Sequence, residues 1–274
     1  MADCNNCPSR STCTSQDACT IKNNPNNHVK NIIGVMSGKG GVGKSTVASL
    51  IAKELKDKGY KVGVLDADIT GPSIPRLFQL DKERALANDE GIIPVETEDG
   101  IKVMSLNLLV EDEDNPVIWR GPVVSGIVQQ FWTDVIWGEL DYLIIDMPPG
   151  TGDVALTVMQ SIPITGLVIV SIPQDMVSMI VAKAVNMANK LNIKVFGVVE
   201  NMSYVMCPDC DNKIKIFDGE NTASFLREYD LDLLGELPMT RDMANLPREG
   251  SSNLNREVKN TFAEIADKII VSSN

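Results

Sequence analysis

Two groups of residues in this chain have types and spacings suited to chemistry. The stretch "SGKGGVGKST", residues 37–46, satisfies G-x-x-x-x-G-K-[ST] with Gly38, Gly43, Lys44 and Ser45. Glycines at that spacing let backbone N–H groups converge on phosphate oxygens at a helix N-terminus. Gly38, Lys39, Gly40, Gly41, Val42, Gly43, Lys44, Ser45 and Thr46 therefore form a candidate nucleotide cradle. In it Lys44 places a charge on the β and γ oxygens, the Ser45 hydroxyl can ligate Mg2+, and Thr46 lies beside the α-phosphate. The second group is Cys207 and Cys210 in "YVMCPDCDNKI", two thiols that make half of a four-ligand metal site. Four more, Cys4, Cys7, Cys13 and Cys19, are spaced C-x2-C-x5-C-x5-C and could complete a separate site within one chain.

The elements that must position these residues follow from hydrophobic patterning. "NIIGVMS" precedes the glycine loop as a strand, and a helix opens at Lys44 and runs to about Lys58. "KVGVLDAD", "DYLIIDMP", "GLVIVSIP" and "KVFGVVEN" are near-continuous apolar strands. They alternate with helices near 122–137, after Asp153, and from Asp175 to Leu191, which predicts a mostly parallel sheet with helices on both faces. Asp66 and Asp68 in "VLDADITGPS", and Asp146 in "LIIDMPPGTGD", fall at carboxyl ends of strands, where ligands collect in such sheets. Helix capping is the competing use of these aspartates. In "IIPVETEDGIKVMSL", Asp99-Gly100 between β-rich runs predicts a hairpin inserted into the α/β pattern. Near the C-terminus Leu254, Val258, Phe262, Ile265 and Ile269 share one stripe of a core-packing helix.

Residues 1–30 have almost nothing apolar to bury and read as a cysteine-containing appendage plus linker, leaving 31–274 as one nucleotide-binding domain. The sole histidine, His28, falls in that linker and is expected to be solvated. A formal charge of −12 over 274 residues argues against a nucleic-acid partner, which clustered Lys and Arg would have to bind. The start "MADCNNCPSR" lacks a charged n-region and an apolar h-region, and no apolar run is long enough to span a membrane, so the expected location is the cytoplasm. Six cysteines in that reducing compartment point to metal binding or redox chemistry before disulfides.

"GKGGVGKST" resembles the deviant Walker A phosphate loop of the nitrogenase iron protein, septum-site and partition ATPase superfamily. That resemblance implies that Lys39 reaches across a homodimer interface to the neighbour's nucleotide. It also implies that Asp68 orients the attacking water, with Lys39, Lys44 and Asp68 as the catalytic set, and that Asp66 and Asp146 hold waters on Mg2+. "DADITGPSIPRLF", "VIWRGP", "DYLIIDMPPGTGD", "GVVENMSYVMCPDC" and "LGELPM", in that order over about 31–270, narrow the match. Together they resemble the Mrp/Nbp35 (ApbC-like) family of ATP-dependent iron–sulfur cluster carriers. The family resemblance implies slow ATP hydrolysis coupled to cluster handling, an adenine contact by Asn201, and apo iron–sulfur proteins as clients.

A two-fold dimer would bring Cys207 and Cys210 against their own copies and close a four-thiolate site, matching the bridging [4Fe–4S] cluster proposed for that family. A shared zinc or a redox-active dithiol remain alternatives. At the N-terminus, relatives with a cluster place the distant cysteine ahead of C-x2-C-x5-C, whereas here Cys19 follows it. A cluster, a zinc or unligated thiols all stay open there. Two other functions compete with the carrier: a spatial organiser of the septum-site or partition type, and a reductase coupling ATP hydrolysis to electron transfer.

Overall fold

The computed structural model describes residues 23–69, 71–110, 121–174, 179–207, 209, 210, 212–215 and 220–273. Cys4, Cys7, Cys13 and Cys19 lie outside the described residues. The chain runs β1 His28–Ser37, α1 Lys44–Asp57, β2 Val62–Asp66, α2 Ile74–Leu77, β3 Leu86–Asn88, β4 Gly91–Ile93, β5 Val95–Glu96 and β6 Lys102–Met104. It continues through α3 Gly121–Thr133, β7 Glu139–Asp146, α4 Asp153–Ser161, β8 Gly166–Ser171, α5 Met179–Lys190 and β9 Lys194–Met206. β10 Lys213–Ile214, α6 Glu220–Glu228, β11 Leu233–Pro238, α7 Arg241–Glu249 and α8 Arg256–Ser273 complete it.

Among the described residues the main sheet has nine strands, in the order β10-β9-β8-β1-β7-β2-β6-β5, with β11 also paired to β9. β1, β2, β6, β7, β8, β9 and β11 are mutually parallel along their pairings, as expected for apolar runs separated by helices. Alternation along each strand divides the core in two. Ile33, Val35, Val64, Ile144 and Val168 face α1 and α8, where Val47, Ile51, Leu55, Phe262 and Ile265 are buried. Ile32, Leu65, Leu143, Ile145 and Ile169 face α3, α4 and α5, where Val128, Phe131, Val158, Val181 and Val185 are buried. The stripe Leu254, Val258, Phe262, Ile265 and Ile269 is buried as expected, although Leu254 precedes α8.

Three differences from the sequence reading have physical causes. β1 starts at His28, and Asn24 and Asn27 are buried, so part of the expected linker belongs to the sheet. Asn27 Nδ2 donates to the Val135 carbonyl at 2.8 Å and its Oδ1 accepts from Gly138 N at 3.0 Å, which substitutes hydrogen bonds for apolar burial. His28 itself is exposed. The expected hairpin forms between β5 and β6, with Val95 opposite Val103, yet β6 also pairs in parallel with β2, so the hairpin ends the main sheet rather than interrupting it. The helix expected near 122–137 stops at Thr133 because Val135 bridges to Ile92.

Candidate functional site

The glycine loop joins β1 to α1 at the carboxyl edge of the sheet. Gly43 caps α1 with φ 83°, in the left-handed region that glycine adopts without a Cβ penalty. It must also be glycine for space, since a Cβ there would lie 2.2 Å from Asn201 Nδ2. The loop leans on the segment after β7: Gly150 N donates to the Ser37 carbonyl at 2.8 Å and Met147 N to the Val35 carbonyl at 2.9 Å.

Asp66 and Asp146 are register partners at the ends of β2 and β7, and both are fully buried. Two adjacent carboxylates without water are costly, and Lys44, 6% exposed, offsets part of that cost. Its ammonium donates to Asp146 Oδ1, lies 3.8 Å from Asp68 Oδ2 and is 3.4 Å from the Ser45 hydroxyl. Burial pushes the Asp146 carboxyl above its ordinary value while the Lys44 charge opposes the rise. Burial first, and the neighbouring Asp146 charge second, push Asp66 up as well.

The two buried acids differ in what their oxygens do. Asp66 Oδ2 accepts from Ser73 N at 3.1 Å, Ile74 N at 3.2 Å and the Ser105 hydroxyl at 3.1 Å, while its Oδ1 accepts from Asp68 N at 3.2 Å. It therefore anchors the loop that presents Asp68 and the start of α2, the capping type of use. Among the described residues, Asp146 Oδ2 is buried with no hydrogen-bond partner. A buried carboxylate oxygen without a donor is expensive, and a carboxyl that also interacts with the Ser45 side chain fits a cation or its water shell. The structure thus brings Lys44, Ser45, Asp66, Asp68 and Asp146 together, and leaves Lys39 exposed at the rim of the loop.

Asn201 lies on β9 against the loop, with Nδ2 donating to the Val42 carbonyl at 2.8 Å. Register carries Ser37 to Val170 and Val170 to Val199, so β9 passes the level of the loop near Asn201 and continues beyond it. Cys207 and Cys210 follow, Cys207 half-buried and Cys210 exposed, neither in a disulfide. At ~3.3 Å per residue, Cys207 stands at most roughly 20 Å past Asn201, and the irregularity in β9 pairing between Glu200 and Tyr204 shortens that reach. The hairpin closes through Cys207 N to the Asn212 carbonyl at 2.9 Å and the pairing of Met206 with Lys213. Its base is fixed by Tyr204 and Lys213, both bonded to Glu257 Oε1, at 2.9 Å and 3.0 Å. Lys213 Nζ also lies 4.2 Å from the Tyr204 ring centroid. Neither the Tyr204–Lys213–Glu257 cluster nor Ser105 has a sequence motif; only the fold brings them into place. Among the described residues, no group of three or more His, Cys, Asp or Glu is set to hold a metal ion within one chain.

The profile of a protein family described as ParA, NUBPL iron-transfer P-loop NTPase, matches residues 28–272. The chain belongs to this family. Within it, a Clostridium perfringens protein named iron-sulfur cluster carrier protein is 51% identical over 267 residues, spanning 92% of this chain and 94% of that relative. A Methanocaldococcus jannaschii protein of the same name is 47% identical, spanning 86% of this chain and 83% of that relative. Among solved structures, a nucleotide-binding protein from Archaeoglobus fulgidus in complex with ADP superposes with a TM-score of 0.73 at 44% identity, covering 81% of this chain and 87% of that one. The Pyrococcus furiosus cell division ATPase MinD, at 18% identity and a TM-score of 0.64, shares the fold. The α/β P-loop NTPase architecture and the Mrp/Nbp35-type kinship expected from the motifs are therefore both correct. No helix among the described residues is long and apolar enough to cross a membrane.

Proposed function

We propose that this protein carries a [4Fe–4S] cluster on Cys207 and Cys210 and couples ATP hydrolysis to loading or releasing it. The observation behind this reading is β9, which touches the phosphate loop through Asn201 and ends in the thiol hairpin. The names borne by the Clostridium and Methanocaldococcus relatives agree with it. Two thiolates are half of a cluster's four, and a symmetric homodimer supplies the matching pair from a second copy. The cluster is cargo, passed to apo iron–sulfur proteins in the cytoplasm.

In hydrolysis the loop amides and Lys44 bind the phosphates, and Lys44 exchanges its bond to Asp146 for the β and γ oxygens. Ser45 and Asp146, with the one lone pair left on Asp66 Oδ1, would hold Mg2+ or its waters, and the ion supplies charge neutralisation on the phosphates. Asp68, held 3.8 Å from Lys44, orients the attacking water. Exposed Lys39 extends to the nucleotide of the other subunit, and Asn201 borders the adenine from β9. Phosphoryl transfer of this kind depends chiefly on positioning and charge.

The test is anaerobic reconstitution with iron and sulfide, counting both per dimer, followed by transfer to an apo iron–sulfur enzyme with and without ATP. The reading expects one cluster per dimer at the thiol pair and activation of the apo enzyme by the parent but not by Cys207→Ser. Tightly held zinc with no transfer would sink it.

A further inference from the structure

β9 contains a defect between its two functional ends. Asn201 is 3% exposed, and its amide fixes the Val42 carbonyl. In a trans peptide the C=O and the following N–H point opposite ways, so this bond also aims the Gly43 N–H away from β9. The next residue, Met202, has φ 55°, a left-handed conformation that costs a residue with a Cβ. Pairing with β11 goes from Glu200–Glu236 to Tyr204–Pro238, so four steps of β9 span two of its neighbour. Such bulges re-aim a strand and recur beside functional sites. Beyond the bulge, Met239 N bonds the Tyr204 carbonyl at 2.8 Å, and the Tyr204–Lys213–Glu257 cluster makes the thiol hairpin one unit with α8.

We propose that Asn201 is a positioning residue coupling the two sites: phosphate bound at the Gly43 amide strengthens the Asn201–Val42 bond, and the bulge at Met202 passes that restraint to the hairpin of Cys207 and Cys210. Hydrogen bonds on the two sides of one peptide polarise each other in the favourable sense. Linkage makes the effect reciprocal in binding, so a filled thiol site alters nucleotide affinity by the factor with which nucleotide alters the thiol site's affinity for what fills it. The inference deepens the carrier reading by naming how the two sites communicate, but the coupling itself is between nucleotide and thiols.

The experiment uses the full chain with Cys4, Cys7, Cys13 and Cys19 each replaced by Ser, leaving Cys207 and Cys210 as its only thiols. Metal-free protein is reacted anaerobically with the thiol reagent DTNB, with and without saturating Mg-ADP, and sedimentation reports the oligomeric state in each arm. The parent should react about fivefold more slowly with ADP, the low end of ordinary allosteric coupling. Asn201→Ala at saturating ADP should show no such slowing. Met202→Gly removes the backbone strain and loosens the link; it should keep the parent's ADP affinity yet lose the response, covering an Asn201→Ala that binds ADP too weakly. No response in the parent, or an equal response in both variants, overturns the proposal. A coupled thiol response in protein that takes up no iron and sulfide would overturn the carrier reading and leave the coupling standing.

Discussion

At the phosphate loop Lys44, Asp66 and Asp146 are buried and bonded to one another or to backbone amides. Six residues beyond Asn201 along the chain, Cys207 is half-buried, Cys210 is exposed, and their support is a two-residue antiparallel pairing and a partly exposed ion-pair cluster. Phosphoryl transfer needs charges fixed before the reaction begins, because reorganising them adds to the barrier. A site that gives its cargo to another protein needs access. The parallel sheet satisfies the first need by ending adjacent strands in aligned acids. One strand overrunning the sheet edge satisfies the second.

The largest effect that separates the two regions is loss of hydrolysis without loss of the thiol site. Lys44→Ala should lower ATP turnover by about 10²–10³-fold, the scale of removing one charge-stabilising donor. Iron bound at Cys207 and Cys210 should be unchanged. Turnover near the parent's would dismiss the phosphate-loop assignment. Cys207→Ser is the reciprocal variant: iron analysis should show one cluster lost per dimer, while equilibrium dialysis shows nucleotide still bound. Removing residues 1–22 should spare that cluster, because the described chain enters the sheet at His28, the end of β1 remote from Ser37. A smaller effect tests whether the loop's exposed lysine works between subunits. Lys39→Ala and Lys44→Ala chains, each impaired alone, should regain part of the turnover when mixed if Lys39 acts on the partner's nucleotide. Verified mixed dimers without any gain would assign Lys39 to its own chain.

The parts of the site that were legible in sequence are those whose chemistry dictates local residue order. A phosphate cradle must be contiguous because neighbouring amides build it, so Gly38 to Thr46 stand out as a motif. Asp66 and Asp146 show because an apolar strand that ends in a carboxylate has no packing reason to do so. What hid is what tertiary contact decides. Asp66 also anchors the loop through the Asp68, Ser73 and Ile74 amides and is held by Ser105, a residue at another strand's end whose type announces nothing. Asn201 stands out in the sequence only through the family resemblance, and its bond to Val42 depends on β9 lying where β8 and β1 put it. Asn24 and Asn27 read as linker because polar residues are usually exposed, yet both are buried, Asn27 with both ends of its amide bonded and Asn24 with its Oδ1 accepting from Asn26 N.

The smallest predicted effect concerns the clamp at the base of the hairpin. Lys213 holds the Glu257 carboxyl below its ordinary value, first through a direct hydrogen bond, with the Tyr204 hydroxyl adding to it. A carboxyl with a depressed value in the folded state stabilises fully above its unfolded value, near 4.5, and loses that contribution as pH falls through the folded one. At the alkaline end, Lys213 is raised by the same partner, so its share persists to its ordinary value of 10.5 and fades above it. Both groups are partly exposed, which limits the effect to about 0.5 kcal/mol. Glu257→Gln should therefore lower the urea midpoint of the metal-free protein slightly at pH 7, and the gap from the parent should narrow once pH drops below about 4.5. A gap that persists undiminished in acid would mean that packing of Tyr204 against α8, rather than charge, holds the hairpin base. In that case the rigidity at the thiol end would have the same apolar origin as the sheet's core, and the electrostatic contrast between the two regions would be confined to the phosphate loop.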